Sequence, residues 1–266
     1  RALSADPPIV DLRILRTRNF AVGTALIALL GVILDSTIAM LPLYLQTLMG
    51  YSALLSGLTM TPRGMGALFS NIVVGRLIGL IDSRLFIALG LCLLATSGFL
   101  FSHMTLLIGM PNVVWPNVLN GVGTAMVFVT LATTTMGRLK NEQLGNAAGI
   151  FNLMRNIGGS IGIAAVATFL ARWTQVRQSI LVSHLTPYDP AYQRWLSTAR
   201  SALRPRVGAL AADAKAVGLL GNVLGQQARL LAFMDIFRVI GILSLLAVPL
   251  VLLFKKTPTR KAPSGD

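Results

Sequence analysis

The sequence predicts an all-α membrane protein built on six transmembrane helices. Three observations carry that prediction. Only 12% of the 266 residues are charged, against about 25% in ordinary soluble domains. The mean hydropathy is +0.71, too apolar for a surface that faces water. The charges also cluster between six apolar runs, each close to the roughly 20 residues a spanning helix needs. A soluble enzyme, a disordered tail and a coiled coil are excluded by the same composition. The net charge of +14 suggests nucleic acid at first sight. A basic face interleaved with aromatics is the footprint of such a partner, and it is absent, so no nucleic-acid partner is expected.

In chain order, residues 1–19 read as a basic cytoplasmic tail. Five spans follow within 20–171, at roughly 20–45, 53–75, 85–102, 108–136 and 145–171. The third is the cleanest, an uncharged run from Leu85 to Ser102 between Arg84 and His103. The fourth is long, but two spans and a turn cannot fit there. It reads as one helix with Pro111 and Pro116 near its start, tolerated where neighbours satisfy the freed carbonyls. Residues 172–229 carry a net +6 and no spanning run. They read as an extracytoplasmic loop with two short amphipathic helices, one opening at Asp189-Pro190 (a cap followed by proline) and broken near Pro205. The sixth span is 230–254, and 255–266 is a second cytoplasmic tail. The six spans divide as three plus three, 20–102 and 108–254, without a strong residue-level repeat. The chain opens at Arg1 with no signal peptide, which predicts a fragment of a longer protein cut ahead of a spanning segment.

Orientation follows from short-loop Lys and Arg, which concentrate on the cytoplasmic side. Arg1, Arg13, Arg16 and Arg18 precede the first span, and Arg76 and Arg84 follow the second. Arg138 and Lys140 follow the fourth, and Lys255, Lys256, Arg260 and Lys261 close the chain. The alternate loops 46–52 and 103–107 have neither residue type. Both termini are therefore expected in the cytoplasm.

The polar residues inside the spans are the candidate site. Asp35 lies deep in the first span, and intramembrane carboxylates are functional by default. It suits a group that binds and releases a proton or meets a cationic substrate. It also suits a cap ahead of Pro42, or a structural pair with a buried arginine. Arg63, after Pro62, is a plausible partner for it. Arg155 sits among glycines, sharing a helix face with Asn152, and reads either as a cavity-lining cation or as a snorkelling interfacial one. Asn71, Asn117, Asn120 and Gln46 are further polar candidates, with interhelical hydrogen bonding as the alternative role. Gly145 with Gly149, and Gly158 with Gly162, form small-xxx-small pairs that let another helix approach closely. Asp235 and Arg238 are spaced to pair with each other. Cys92 is the one cysteine, so no intrachain disulfide exists. His103 and His184 are isolated. No metal set, nucleophile elbow or phosphate loop occurs, which leaves an embedded enzyme as a weak alternative.

Several stretches together carry a family resemblance. Asp11-Leu-Arg-Ile-Leu-Arg-Thr-Arg-Asn-Phe20 precedes a span. Pro42-Leu-Tyr-Leu-Gln46 and Gly50-Tyr-Ser-Ala53 follow, with Gly57 and Pro62. The last is Gly145-Asn-Ala-Ala-Gly-Ile-Phe-Asn-Leu-Met-Arg-Asn-Ile-Gly-Gly159. The chain resembles the EmrB/QacA-type drug:proton antiporters, fourteen-span members of the major facilitator superfamily, over roughly 9–171 and 222–254. The resemblance implies the C-terminal six-helix bundle of such a transporter, one half of an alternating-access machine. It implies proton-coupled export of amphipathic or cationic toxic compounds across the bacterial inner membrane. The missing N-terminal half would be a partner, as would a periplasmic adaptor and an outer-membrane channel. No cofactor is implied beyond the proton gradient. The loop Gly75-Arg76 to Asp82-Ser-Arg84 keeps part of the family's cytoplasmic gating motif. A dedicated exporter of one metabolite and a non-transporting scaffold or sensor are the other readings.

Overall fold

The computed structural model describes residues 14, 17–106, 109–137, 139, 141–186 and 188–254. Seven α-helices account for most of them: α1 Arg18–Thr47, α2 Ala53–Leu77, α3 Ser83–Phe101, α4 Met110–Met136, α5 Asn141–Ser183, α6 Pro190–Val207 and α7 Ala209–Ala247. A 3-10 turn, Pro249–Leu253, follows α7. Most of the basic residues used for orientation lie outside the described residues: Arg1, Arg13, Arg16, Arg138, Lys140 and the lysines and arginines after Phe254.

The helix boundaries have local causes. Ser52 caps α2, its hydroxyl accepting from the Leu55 amide at 3.2 Å. Asp82 caps α3, accepting from the Arg84 amide at 3.1 Å. Each satisfies a donor that the first helical turn leaves orphaned. Between them, Gly79 takes a φ of +99°, a conformation only glycine adopts cheaply. Pro111 stands in the first turn of α4, where its missing N–H costs nothing.

Five helices are long and apolar enough to cross a membrane: Arg18–Thr47, Ser83–Phe101, Met110–Met136, Asn141–Ser183 and Ala211–Leu253. α2 is not among them, so the apolar run expected over 53–75 is weaker than a spanning segment requires. The reason lies in its composition. Thr59, Thr61, Arg63, Ser70, Asn71 and Arg76 interrupt 25 residues, and of their side chains Ser70 hydrogen-bonds to α4.

The stretch 172–229 is also more regular than a loop. α5 continues to Ser183 and α7 already begins at Ala209. One amphipathic helix, α6, replaces the expected two, because Pro205 falls in its last turn, where few backbone bonds remain to be broken. The break comes at Gly208, with φ +80°.

The chain divides into two compact units, one of residues 1–166 with 237–266 and one of 167–236. In the first, α4 packs against α1, α2 and α3. Leu30, Ile33, Leu41 and Tyr44 of α1 are fully buried there, as are Phe101, Phe151 and Phe237. The Phe101 and Phe237 rings lie 5.1 Å apart, the tilted geometry aromatic pairs prefer.

In the second unit, Arg177 donates to Asp235 through Nε at 2.9 Å and Nη2 at 2.5 Å. Asp235 was expected to pair with Arg238, three residues on. Both Arg177 donors converge on one carboxylate oxygen in a charge-assisted contact. Arg238 is exposed. A second ion pair, Arg200 to Asp213 at 2.9 Å, joins α6 to α7.

Candidate functional site

Three helices of the first unit bring polar groups together around α4. α2 meets α4 backbone to backbone: a Cβ at Gly121 would collide with the Arg63 carbonyl oxygen, and one at Gly66 would come 2.8 Å from the Val118 carbonyl. That closeness lets polar side chains bridge the pair. Asn117 Nδ2 donates to the Thr59 carbonyl at 3.0 Å, and the Ser70 hydroxyl to the Val122 carbonyl at 3.0 Å. Asn117 and Asn120 are 0% and 2% exposed. Their Oδ1 atoms are buried without a hydrogen-bond partner.

Arg63 occupies the same level. Its backbone is pressed against Gly121, while Nη1 and Nη2 are buried and unpartnered. Asp35 on α1 is half-buried and interacts electrostatically with Arg63. The two form no ion pair within 4.0 Å; among the described residues the ion pairs are Arg177–Asp235 and Arg200–Asp213. Arg63 and Asn117 thus lie at the α2–α4 contact, with Asn120 buried on α4 and Asp35 on α1 within electrostatic reach of Arg63.

α5 approaches α1 along four glycines. A Cβ at Gly158 would strike the Ala28 carbonyl oxygen, and one at Gly31 the Arg155 carbonyl oxygen. At Gly162 it would lie 2.7 Å from the Val32 carbonyl and 2.8 Å from the Ser36 hydroxyl. At Gly159 it would strike the Asp35 carboxylate. Arg155 therefore sits one turn from Asp35 on the neighbouring helix. It is half-buried, with Nη2 donating to Asn156 Oδ1 at 3.2 Å and Nε buried without a partner.

The remaining candidates stand apart. Asn152 and Asn71 are exposed, and Gln46 is exposed at the end of α1. A methyl added at Gly145 or Gly149 would meet nothing within 4 Å, so the close helix approach expected of them does not occur among the described residues. Gly75 and Arg76 are exposed at the end of α2, and Asp82 is occupied as the α3 cap. Arg84 Nη2 donates to the Phe254 carbonyl, which ties the start of α3 to the turn after α7. Asp82 and Arg84 border an apolar cavity of about 510 Å³ completed by Leu85, Val248 and Leu252.

Sequence reasoning missed the helix-packing glycines on α2, α3 and α4. Gly90 meets Gly123, a Cβ at Gly90 falling 2.9 Å from the Gly123 carbonyl, and Gly98 meets Gly241 at 2.8 Å. Small residues on one helix face were the available signal. Among the described residues no group of three or more His, Cys, Asp or Glu could hold a metal ion.

The chain matches the model of the Major Facilitator Superfamily over residues 2–163. It is 30% identical to the fatty acid resistance protein FarB of Neisseria gonorrhoeae, over 93% of this chain and 48% of that protein. To the multidrug export protein EmrB of Escherichia coli K12 it is 29% identical, over 73% of this chain and 38% of that one. To the colistin resistance protein EmrB of Acinetobacter baumannii it is 25% identical, over 91% and 47%. The chain spans about half the length, or less, of the curated relatives it matches.

Proposed function

The chain belongs to the Major Facilitator Superfamily, and on that premise we propose that it forms the C-terminal six-helix half of a proton-coupled exporter. Within the superfamily it is of the EmrB/QacA drug-efflux type, a transporter and not an enzyme. Apolar helices and bacterial efflux relatives make it a multi-pass inner-membrane protein. α2 is the sixth span, with the Ser70 hydroxyl and the Thr59 and Arg63 carbonyls set against α4. Both termini of the chain lie in the cytoplasm. The exported compounds are amphipathic or cationic and toxic, and export proceeds by rocking of two six-helix bundles around a central site. Residues 172–229 face outward and meet a periplasmic adaptor that leads to an outer-membrane channel. The proton gradient is the energy source, with no bound cofactor.

The observation that carries the proposal is Asp35 near the buried, unpartnered Arg63 guanidinium. A carboxylate at membrane depth, near a cation but outside ion-pair range, is placed to exchange a proton without being locked by a salt bridge. The buried oxygens of Asn117 and Asn120 supply acceptors for a substrate cation or for the protonated carboxyl.

Asp35→Asn in the full-length transporter tests this. The substitution keeps size and hydrogen bonding but removes the charge, so efflux driven by a pH gradient should fall steeply in protein that still inserts and folds. Normal efflux with unchanged pH dependence in well-expressed Asp35→Asn would refute the proton role. A second reading, a dedicated exporter of one amphipathic acid, is favoured by the unpartnered Arg63 guanidinium. A substrate panel separates the two, since a dedicated exporter responds to a single compound.

A further inference from the structure

Of the four glycines at the α1–α5 seam, one differs in what it accommodates. At Gly31, Gly158 and Gly162 the nearest neighbour of an added Cβ is a backbone carbonyl oxygen of the facing helix. Those three positions are glycine because two helix backbones lie too close for a side chain. At Gly159 the three nearest atoms are all in the Asp35 side chain: Oδ2 in collision, Cγ at 2.8 Å and Cβ at 3.3 Å. None of those three is a backbone atom. The missing side chain at 159 is therefore a notch in α5, and the Asp35 carboxylate fills it.

The notch accounts for a second observation. Asp35 and Arg63 feel one another's charge, yet they do not close to an ion pair, and both Arg63 terminal nitrogens remain unpartnered. A carboxylate free to choose its rotamer would move toward a buried guanidinium. Seated against α5, it is held back. The charged groups around it are Arg63 on α2 and Arg155 on α5, one turn from Gly159. The buried residues Asn117 and Asn120 on α4 are neutral.

We propose that Gly159 is a positioning residue for the coupling carboxylate. It receives the Asp35 carboxylate in a notch on α5 and keeps it out of ion-pair contact with Arg63, so that the group stays available to protons. The proposal rests on the reading of Asp35 as the proton-coupling group. It adds a second helix, α5, whose movement against α1 would release or recapture that carboxylate.

The test is made in the full-length transporter with Gly159→Ala, Asp35→Ala and the double variant. Gly159→Ala should lower thermal stability in micelles and reduce pH-driven efflux toward the roughly hundredfold loss that an ångström of misplacement costs at a reacting centre. The midpoint of its pH profile should move from that of the wild type. In Asp35→Ala the carboxylate is gone, so adding Gly159→Ala should then cost no stability. Gly158→Ala is the control, since its obstacle is the Ala28 backbone, and Asp35→Ala should not rescue it. A Gly159→Ala protein with wild-type stability and an unmoved pH profile would overturn the proposal. So would a stability loss that Asp35→Ala does not relieve, because the obstacle would then be the helix and not the carboxylate. If the stability rescue holds but Asp35→Asn leaves efflux intact, the notch stands as geometry, and the failure belongs to the proton-coupling reading and takes the positioning role with it.

Discussion

Gly121→Ala is the sharpest test of how α2 is held. α2 falls short of the apolar character of the five candidate spans, so its place depends on fit against α4 more than on greasiness. A methyl at 121 meets the Arg63 carbonyl oxygen, a rigid backbone group that cannot rotate away. Overpacking of this sort costs about 1–3 kcal/mol. Separating the helices also stretches two bridging hydrogen bonds, Asn117 to Thr59 and Ser70 to Val122. Such bonds average about 0.6 kcal/mol each in membrane proteins. The expected loss is therefore about 2–4 kcal/mol, read as a shifted unfolding midpoint in mixed detergent micelles. Gly145→Ala is the matched control. Nothing lies within 4 Å of it, and alanine is the better helix former by about 1 kcal/mol, so stability should hold or rise slightly. Equal behaviour of the two variants would refute the claim that backbone contact seats α2.

Two further outcomes are expected. Removing either member of the Arg177–Asp235 pair should cost no more than about 1 kcal/mol, because both side chains are partly exposed, at 40% and 21%, and such pairs are screened. The charge-swapped double variant should recover part of that loss, while Arg238→Ala stays neutral; a larger loss on Arg238→Ala would show the pairing to be wrong. For topology, a cysteine at His103 in a Cys92→Ala background should react with an impermeant reagent applied outside, while one at Leu80 should be protected. Both positions are exposed, so inverted labelling would discard the orientation.

The helical, membrane-embedded character was legible because composition and run length speak directly about solvent. The helix start at Asp189-Pro190 is local chemistry, and local chemistry is readable. The partner of Asp235 was not, because Arg177 lies 58 residues away and only the packing of helices brings them together. The extent of α5 and α7 was hidden for a different reason. A span is read where charges stop, yet an Ala- and Leu-rich helix continues past that point with no penalty to its backbone. For the site, each polar residue was visible singly, but which of them share a level was not. Gly158 and Gly159 show the limit well. They are adjacent and identical in sequence, and one faces a carbonyl while the other faces a carboxylate.

Gly121 and Gly123 of α4 lie about 200° apart around their helix axis, one against α2 and the other against α3. α4 is thereby keyed on opposite sides, like a shaft with two flats in a fitted bore. Twisting it in place drives side chains into one neighbour's backbone or the other's, whichever way it turns. Small adjustments about that axis are closed off, so α2, α3 and α4 carry load as a single stiff member. Relative movement of helices is thereby left to the contacts that member makes with α1 and to the glycine seam between α1 and α5.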